Sequence, residues 1–243
     1  MGRIAVVTGA SSGIGAATVE ALAGDGFEVH ALARRADRLA ALAEATGCTP
    51  HVVDVNDRAA MESVIGDLGA DVLVNNAGLG RAMDSLVEAT VDDIEQTVAT
   101  NVTAVLHATR LALPAMIERR SGHVVNVGSM AGLYPLSAAL YGATKGAVHR
   151  LSTNLRLELR GTGVRVTEIC PGRVTSEFYE VAIDDPERRA RALDTGIDEI
   201  SAADVADVIR YAVAAPARMN INRIEVQPTE QTYGGSQFVA TEE

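Results

Sequence analysis

The chain has 243 residues, 47% of them hydrophobic and 22% charged, with a formal net charge of −11. That size buries a substantial core, and so acidic a balance repels nucleic acid and anionic membrane surfaces, so neither is expected as a partner. No apolar run approaches the roughly 18 residues of a membrane helix, and the N-terminal run meets glycine too soon for a signal peptide, so a cytoplasmic protein is expected. Cys48 and Cys170 form no CxxC pair, and His30, His51, His107, His123 and His149 show no ligand spacing, so no metal is expected.

Short β-branched runs alternate with longer segments of helical period. The pattern predicts a strand over Arg3–Thr8, a helix over Gly13–Gly24, a strand over Glu28–Ala33 and a helix over Arg35–Thr46. It continues with strand Thr49–Asp54, helix Arg58–Leu68, strand Val72–Asn75 and a long helix Val91–Glu118. Strand Gly122–Val127, helix Ala139–Arg160, strand Val164–Cys170, helix Ser201–Ala214 and a last strand near Asn222–Gln227 complete it. Strand and helix in such regular alternation predict an α/β fold with a doubly wound parallel sheet of about seven strands, covered by helices on both faces. Nothing in the chain reads as a linker, so residues 1–243 are taken as one domain. The charged stretch Ile183–Arg191 is a long connection, and residues 183–200 are expected to form a mobile substrate lid. Residues 220–243 supply the last strand and a tail.

The stretch TGASSGIG at 8–15 follows the first strand directly and opens the first helix. Glycines there let the backbone approach a phosphate, and the helix N-terminus offers unpaired N–H groups with a favourable dipole. The reading is a pyrophosphate cradle. After the second strand, where a dinucleotide fold commonly places an acid for the ribose hydroxyls, the chain has Arg34 and Arg35. A guanidinium pairs with a 2′-phosphate that an aspartate would repel, which favours NADP(H) over NAD(H).

TGASSGIG, Asp54-Val55, NNAG at 75–78, Asn101, Ser129 with Tyr141-x-x-x-Lys145, and Pro171-Gly172 occur in one order across nearly the whole chain. In this set the sequence resembles the short-chain dehydrogenase/reductase family, a Rossmann-like fold. Hydride transfer at an alcohol needs a base for the hydroxyl proton, and a free tyrosine with pKa about 10 is a poor one. Tyr141 and Lys145 are four apart and share a helix face, so an ammonium beside the phenol, with the cationic nicotinamide near, is expected to lower that pKa. The resemblance makes Tyr141 the general acid/base, gives Lys145 the nicotinamide ribose, has Ser129 orient the substrate oxygen and has Asn101 hold a water in a proton path. It further implies that Gly9, Ser11, Ser12, Gly13, Ile14 and Gly15 cradle the pyrophosphate. Asp54 and Val55 would meet the adenine, Asn75, Ala77 and Gly78 the ribose region, and Pro171, Gly172, Val174 and Ser176 the nicotinamide amide.

Two departures from the family pattern stand out. Twelve residues separate Ser129 from Tyr141 where the family more often has thirteen, so the Gly132–Leu140 loop is one residue short, and Ala104 replaces a glycine. Neither removes a functional group. The run Asn220–Pro228 followed by Gln231-Thr232-Tyr233-Gly234-Gly235 resembles the tail of the NADP-dependent 3-hydroxy acid dehydrogenase group. Such substrates carry a carboxylate, for which Arg81 and Arg173 are the candidate anchors. The alternative is a reductase of a larger ketone or aldehyde, or of a 3-oxoacyl substrate, with Leu133, Tyr134, Leu136, Phe178 and Tyr179 lining the pocket. A non-catalytic NADP(H)-binding regulator is disfavoured by the intact Ser129, Tyr141 and Lys145, and an epimerase of the extended branch by the length of the C-terminal region. The family pattern also implies a homodimer or homotetramer built through the two long helices.

Overall fold

The β-branched runs pair side by side in the computed structural model, which describes residues 2–83, 85–135, 138–231 and 238. In chain order they are β1 (Ile4–Thr8), β2 (Glu28–Ala33), β3 (Thr49–Val52), β4 (Val72–Asn75), β5 (Gly122–Val127) and β6 (Val164–Pro171). Two short strands, β7 (Val174–Thr175) and β8 (Ile200–Ser201), pair apart from the others, and β9 (Arg223–Val226) is last. Seven parallel strands make one sheet in the order β3-β2-β1-β4-β5-β6-β9.

Alternation along the strands splits the core in two. Ala5 and Val7 of β1 face α1 (Gly13–Gly24), α2 (Ala36–Thr46) and α9 (Ala202–Ala214), with Leu22, Leu39 and Ile209 fully buried between them. Val6 and Leu73 point the other way, toward α3 (Arg58–Ile65) and α5 (Ala104–Glu118), where Met61, Ala112 and Met116 are buried. The long α6 (Ala139–Glu158) covers β6 on that same side through Leu155 and Val166. The chain winds outward from β1 to β3 and returns to β4 on the other side of β1. A crevice therefore opens at the carboxyl ends of β1 and β4, the usual ligand position in such sheets.

Three expectations change. The long helix predicted over Val91–Glu118 is interrupted: α4 (Val91–Val98) and α5 are joined by a π turn at Ala99–Thr103. A π turn inserts one extra residue into the helix, and here it carries Asn101 into the interior, 1% exposed. The connection expected as a substrate lid, 183–200, contains the helix α8 (Pro186–Leu193), started by Pro186 and capped by Asp185, with α7 (Phe178–Ala182) just before it. β3 ends at Val52, and Asp54 then caps a turn by accepting the N–H of Asn56 at 2.9 Å. Leu136 and the tail residues Thr232, Tyr233, Gly234 and Gly235 lie outside the described residues.

Three histidines, His30, His51 and His123, pack within the sheet. His123 of β5 is buried against Thr167 at 2.8 Å and burial pushes it down to about 3, while the His30 and His51 rings stack 5.1 Å apart. Cys48 and Cys170 are free and buried. Because α9 closes one face of the sheet through Ile209, replacing Ile209 by Ala is expected to cost about 2–5 kcal/mol of unfolding free energy. Tyr211→Ala, on the exposed side of the same helix, is expected to stay within about 0.5 kcal/mol, both read by urea unfolding.

Candidate active site

The turn after β1 and the start of the loop after β4 are held face to face. Thr8 Oγ1 accepts the N–H groups of Asn76 at 3.0 Å and Ala77 at 3.1 Å, and Asn76 Nδ2 donates back to the Thr8 carbonyl at 2.9 Å. At Gly9, where φ is +67°, a Cβ would stand 2.8 Å from Ala77 Cα; on Gly15 it would strike the Gly9 carbonyl and Asn76 Nδ2. Glycine is required at both by close approach. Ser12, at the N-cap of α1, makes no cap bond with its side chain, so the first N–H groups of that helix remain available to an anion.

One cavity of about 550 Å3 runs from Arg34 and Asp54 at one end to Tyr141 and Phe178 at the other, past this turn. At the first end the Arg34 guanidinium is 73% exposed and 3.7 Å from Asp54. Arg35 is committed to the protein: it donates to Ser11 Oγ at 3.0 Å, to Ser12 Oγ at 2.5 Å and to Glu177 at 2.9 Å. Val53, Val55 and Asn56 complete the wall beside Arg34. A 2′-phosphorylated adenosine fits that end by charge, and a pyrophosphate fits the glycine turn by its missing side chains.

At the other end three functional groups converge under cover. Ser129 heads a 3-10 turn (Met130–Gly132), and its hydroxyl accepts the Ala131 N–H at 3.1 Å. Tyr141 and Lys145 project from one face of α6, with Nζ 5.8 Å from the phenol ring centre and donating to the Val127 carbonyl at 2.9 Å. Burial lowers the Lys145 pKa to about 8, opposed by Cys170 and Glu168 nearby. The phenol differs from expectation. Burial pushes the Tyr141 pKa up, and only the hydrogen bond from Ser129 pulls it down. Burial therefore favours the protonated Tyr141, and a positive charge beside it, the Lys145 ammonium or a bound oxidised nicotinamide, would favour the phenolate.

The cavity is lined by Gly9, Ser11, Ser12, Gly13 and Ile14, by Arg34, Arg35, Asp54 and Val55, and by Ala77 and Gly78. Ser129, Tyr134, Tyr141, Lys145, Pro171, Gly172, Arg173, Val174, Ser176 and Phe178 line it too. Gly15, Asn75, Asn101 and Arg81 are not on its wall.

Asn75 instead donates to Thr109 at 3.0 Å and Asn126 at 2.8 Å inside the core, and its neighbour Asn76 takes the place at the cleft. Period-two alternation puts Asn75 on the Leu73 face, under α5, so the sequence held the signal. The Asn101 amide holds Leu79 through both its atoms, at 2.7 and 2.8 Å, and reaches Thr144 at 3.0 Å, so the side chain braces the wall.

Both candidate anchors are engaged elsewhere. Arg81 contacts the Val181 carbonyl at 3.2 Å and Asp184 at 3.3 Å. Arg173 is buried, pairs with Glu199 at 2.6 Å, donates to the Ala192 carbonyl and stacks on Tyr179 at 3.9 Å. Each ties the α7–α8 segment down, a role that no spacing in the sequence reveals. A Cβ on Gly132 would lie 2.6 Å from the Lys145 carbonyl, and Ala104 is buried at the start of α5.

A dinucleotide cleft at the strand reversal, ending in a half-buried serine and tyrosine and a buried lysine, defines a nicotinamide-dependent oxidoreductase of this fold. The family model described as short chain dehydrogenase matches residues 3–186, and the chain belongs to that family. It is 38% identical over 241 residues to the NADP-dependent 3-hydroxy acid dehydrogenase YdfG of Escherichia coli K12, covering 96% of this chain and 97% of that protein. It is 37% identical over 244 residues to sulfoacetaldehyde reductase 2 of Chromohalobacter salexigens, with 96% and 97% covered. Among solved structures, the closed form of a serine dehydrogenase complexed with NADP+ superposes with a TM-score of 0.91 at 36% identity, over 99% of this chain and 100% of that one.

The two asparagines separate by test. Asn75→Ala removes the amide that Thr109 Oγ1 and Asn126 Oδ1 accept from and is expected to cost about 1–3 kcal/mol of stability with coenzyme affinity unchanged. Asn76→Ala removes the tie across the glycine turn and is expected to weaken coenzyme binding severalfold, as titrated by nicotinamide fluorescence.

Proposed function

We propose that this protein is an NADP(H)-dependent oxidoreductase that interconverts a small 3-hydroxy acid and its semialdehyde or keto form. The observation that carries the reading is the grouping of Tyr141, Ser129 and Lys145 at one end of a cleft whose other end presents Arg34. The relatives named for NADP(H) and for short anionic hydroxy or carbonyl compounds support both halves. When bound, the nicotinamide gives or accepts the hydride. Ser129 then hydrogen-bonds the substrate oxygen, and Tyr141 gives that oxygen a proton in reduction and removes it in oxidation. Lys145, fixed by the Val127 carbonyl, holds its ammonium where it favours the phenolate and reaches the ribose.

One observation favours a second substrate class. Arg81 and Arg173 are held by Asp184 and Glu199, and the wall beside Tyr141 is Leu79, Met83, Met130, Phe178 and Val181. Such a wall suits a larger neutral ketone or aldehyde, or a 3-oxoacyl group. Residues 183–200 are assigned as the substrate cover. Self-association as a homodimer or homotetramer is supported by exposed Leu106 and Ile117 on α5 and Leu157 on α6, and the working compartment is the cytoplasm.

Reduced-nicotinamide absorbance with NADP+ and NAD+, against short 3-hydroxy acids and bulky neutral alcohols, decides the class. The hydroxy acids with NADP+ are expected to turn over fastest, and turnover of neutral alcohols alone would move the assignment to the second class. Tyr141→Phe is expected to lower kcat by about 10²–10⁴ while NADPH binding persists. Arg34→Ala is expected to erode the preference for NADP+ about tenfold, one charged hydrogen bond's worth.

A further inference from the structure

The mouth of the cleft is bridged by an ion-pair cluster. Glu177, immediately before α7, reaches across to α2, where its carboxylate accepts from Arg35 at 2.9 Å and from Arg38 at 2.5 Å. Both arginines draw the Glu177 carboxyl below the usual carboxylate range. The same Arg35 braces Ser11 and Ser12, so the bridge joins the glycine turn, the start of α2 and the segment after β7. These two banks nearly touch beside it: a Cβ on Gly13 would lie 3.6 Å from Ser176 Cβ. Ser11, Ser12, Gly13, Arg35, Ser176 and Glu177 all line the coenzyme cavity.

We propose that Glu177 is a positioning residue that clasps the coenzyme cleft and sets how fast NADP(H) enters and leaves. The inference rests on the NADP(H) reading above. A dinucleotide stretched from Arg34 to Tyr141 lies between the two banks that Glu177 ties together, so exchange requires the tie to open. Its side chains are more than one-third exposed, which makes each pair a weak, solvent-screened contact that can open in every turnover. The next residue, Phe178, packs its ring 5.3 Å from that of Tyr141, so the same tie steadies the wall of the substrate pocket.

A charge without a clasp makes the opposite prediction. Glu177 is an anion facing the path of the coenzyme phosphates, so removing only its charge would leave Arg35 and Arg38 more attractive and slow the release. The experiment is stopped-flow displacement of bound NADPH by excess NADP+, followed by nicotinamide fluorescence, on the full chain and its Glu177→Gln and Glu177→Asp variants. Opening the clasp in E177Q is expected to speed both association and release, the release about fivefold, and E177D is expected to restore part of the slow release. Thermal unfolding of each variant, expected within about 2 °C of the parent, keeps a folding defect apart from the effect. Release from E177Q at or below the parental rate overturns the clasp. Failure of the parent chain to bind NADPH overturns the coenzyme reading itself.

Discussion

The site depends on how closely two backbones approach where the sheet reverses direction. The turn after β1 and the loop after β4 are joined by Thr8 and Asn76, with no room for a Cβ at Gly9 or Gly15. That contact keeps the N-terminus of α1 open at the crevice and sets Ala77 and Gly78 along its floor. Every other functional group is placed relative to this seam. The Lys145 ammonium approaches from α6 to within 3.6 Å of where a Gly78 side chain would stand.

Burial does chemical work at the far end. Taking Tyr141 and Lys145 out of water raises one pKa and lowers the other, so each is driven toward its neutral form. With its pKa at about 8 Lys145 still carries its ammonium at neutral pH, while the raised phenol is a poor base in the protein alone. An oxidised nicotinamide bound beside Tyr141 would add a positive charge that favours the phenolate.

Charge on the cover of the cleft is used for shape. Arg173 is sunk between Glu199, the Ala192 carbonyl and the Tyr179 ring, Arg81 holds the end of α7, and Glu177 reaches over to α2. A buried guanidinium needs such partners, since leaving it unpaired costs several kcal/mol. The α7–α8 segment, weak in apolar burial of its own, is thus held by ion pairs, of which Arg35, Glu177 and Arg173 line the cavity.

Much of this was legible in the chain itself. Hydrophobic period and β-branched runs placed β2, β4 and β5 and helix α1 at their observed bounds, because those segments are buried on both faces or follow a sharp glycine turn. The spacing of Tyr141 and Lys145 placed them on one helix face, since helical geometry is local. The sequence by itself determined elements, their order and the chemistry of the residues at the strand ends. Tertiary structure alone decided that an extra residue breaks the long helix at Asn101, and which arginines are committed to the protein. Those outcomes depend on partners far away in sequence, Leu79, Glu199 and Glu177 among them, and a guanidinium's role is fixed by the carboxylate it meets across the fold.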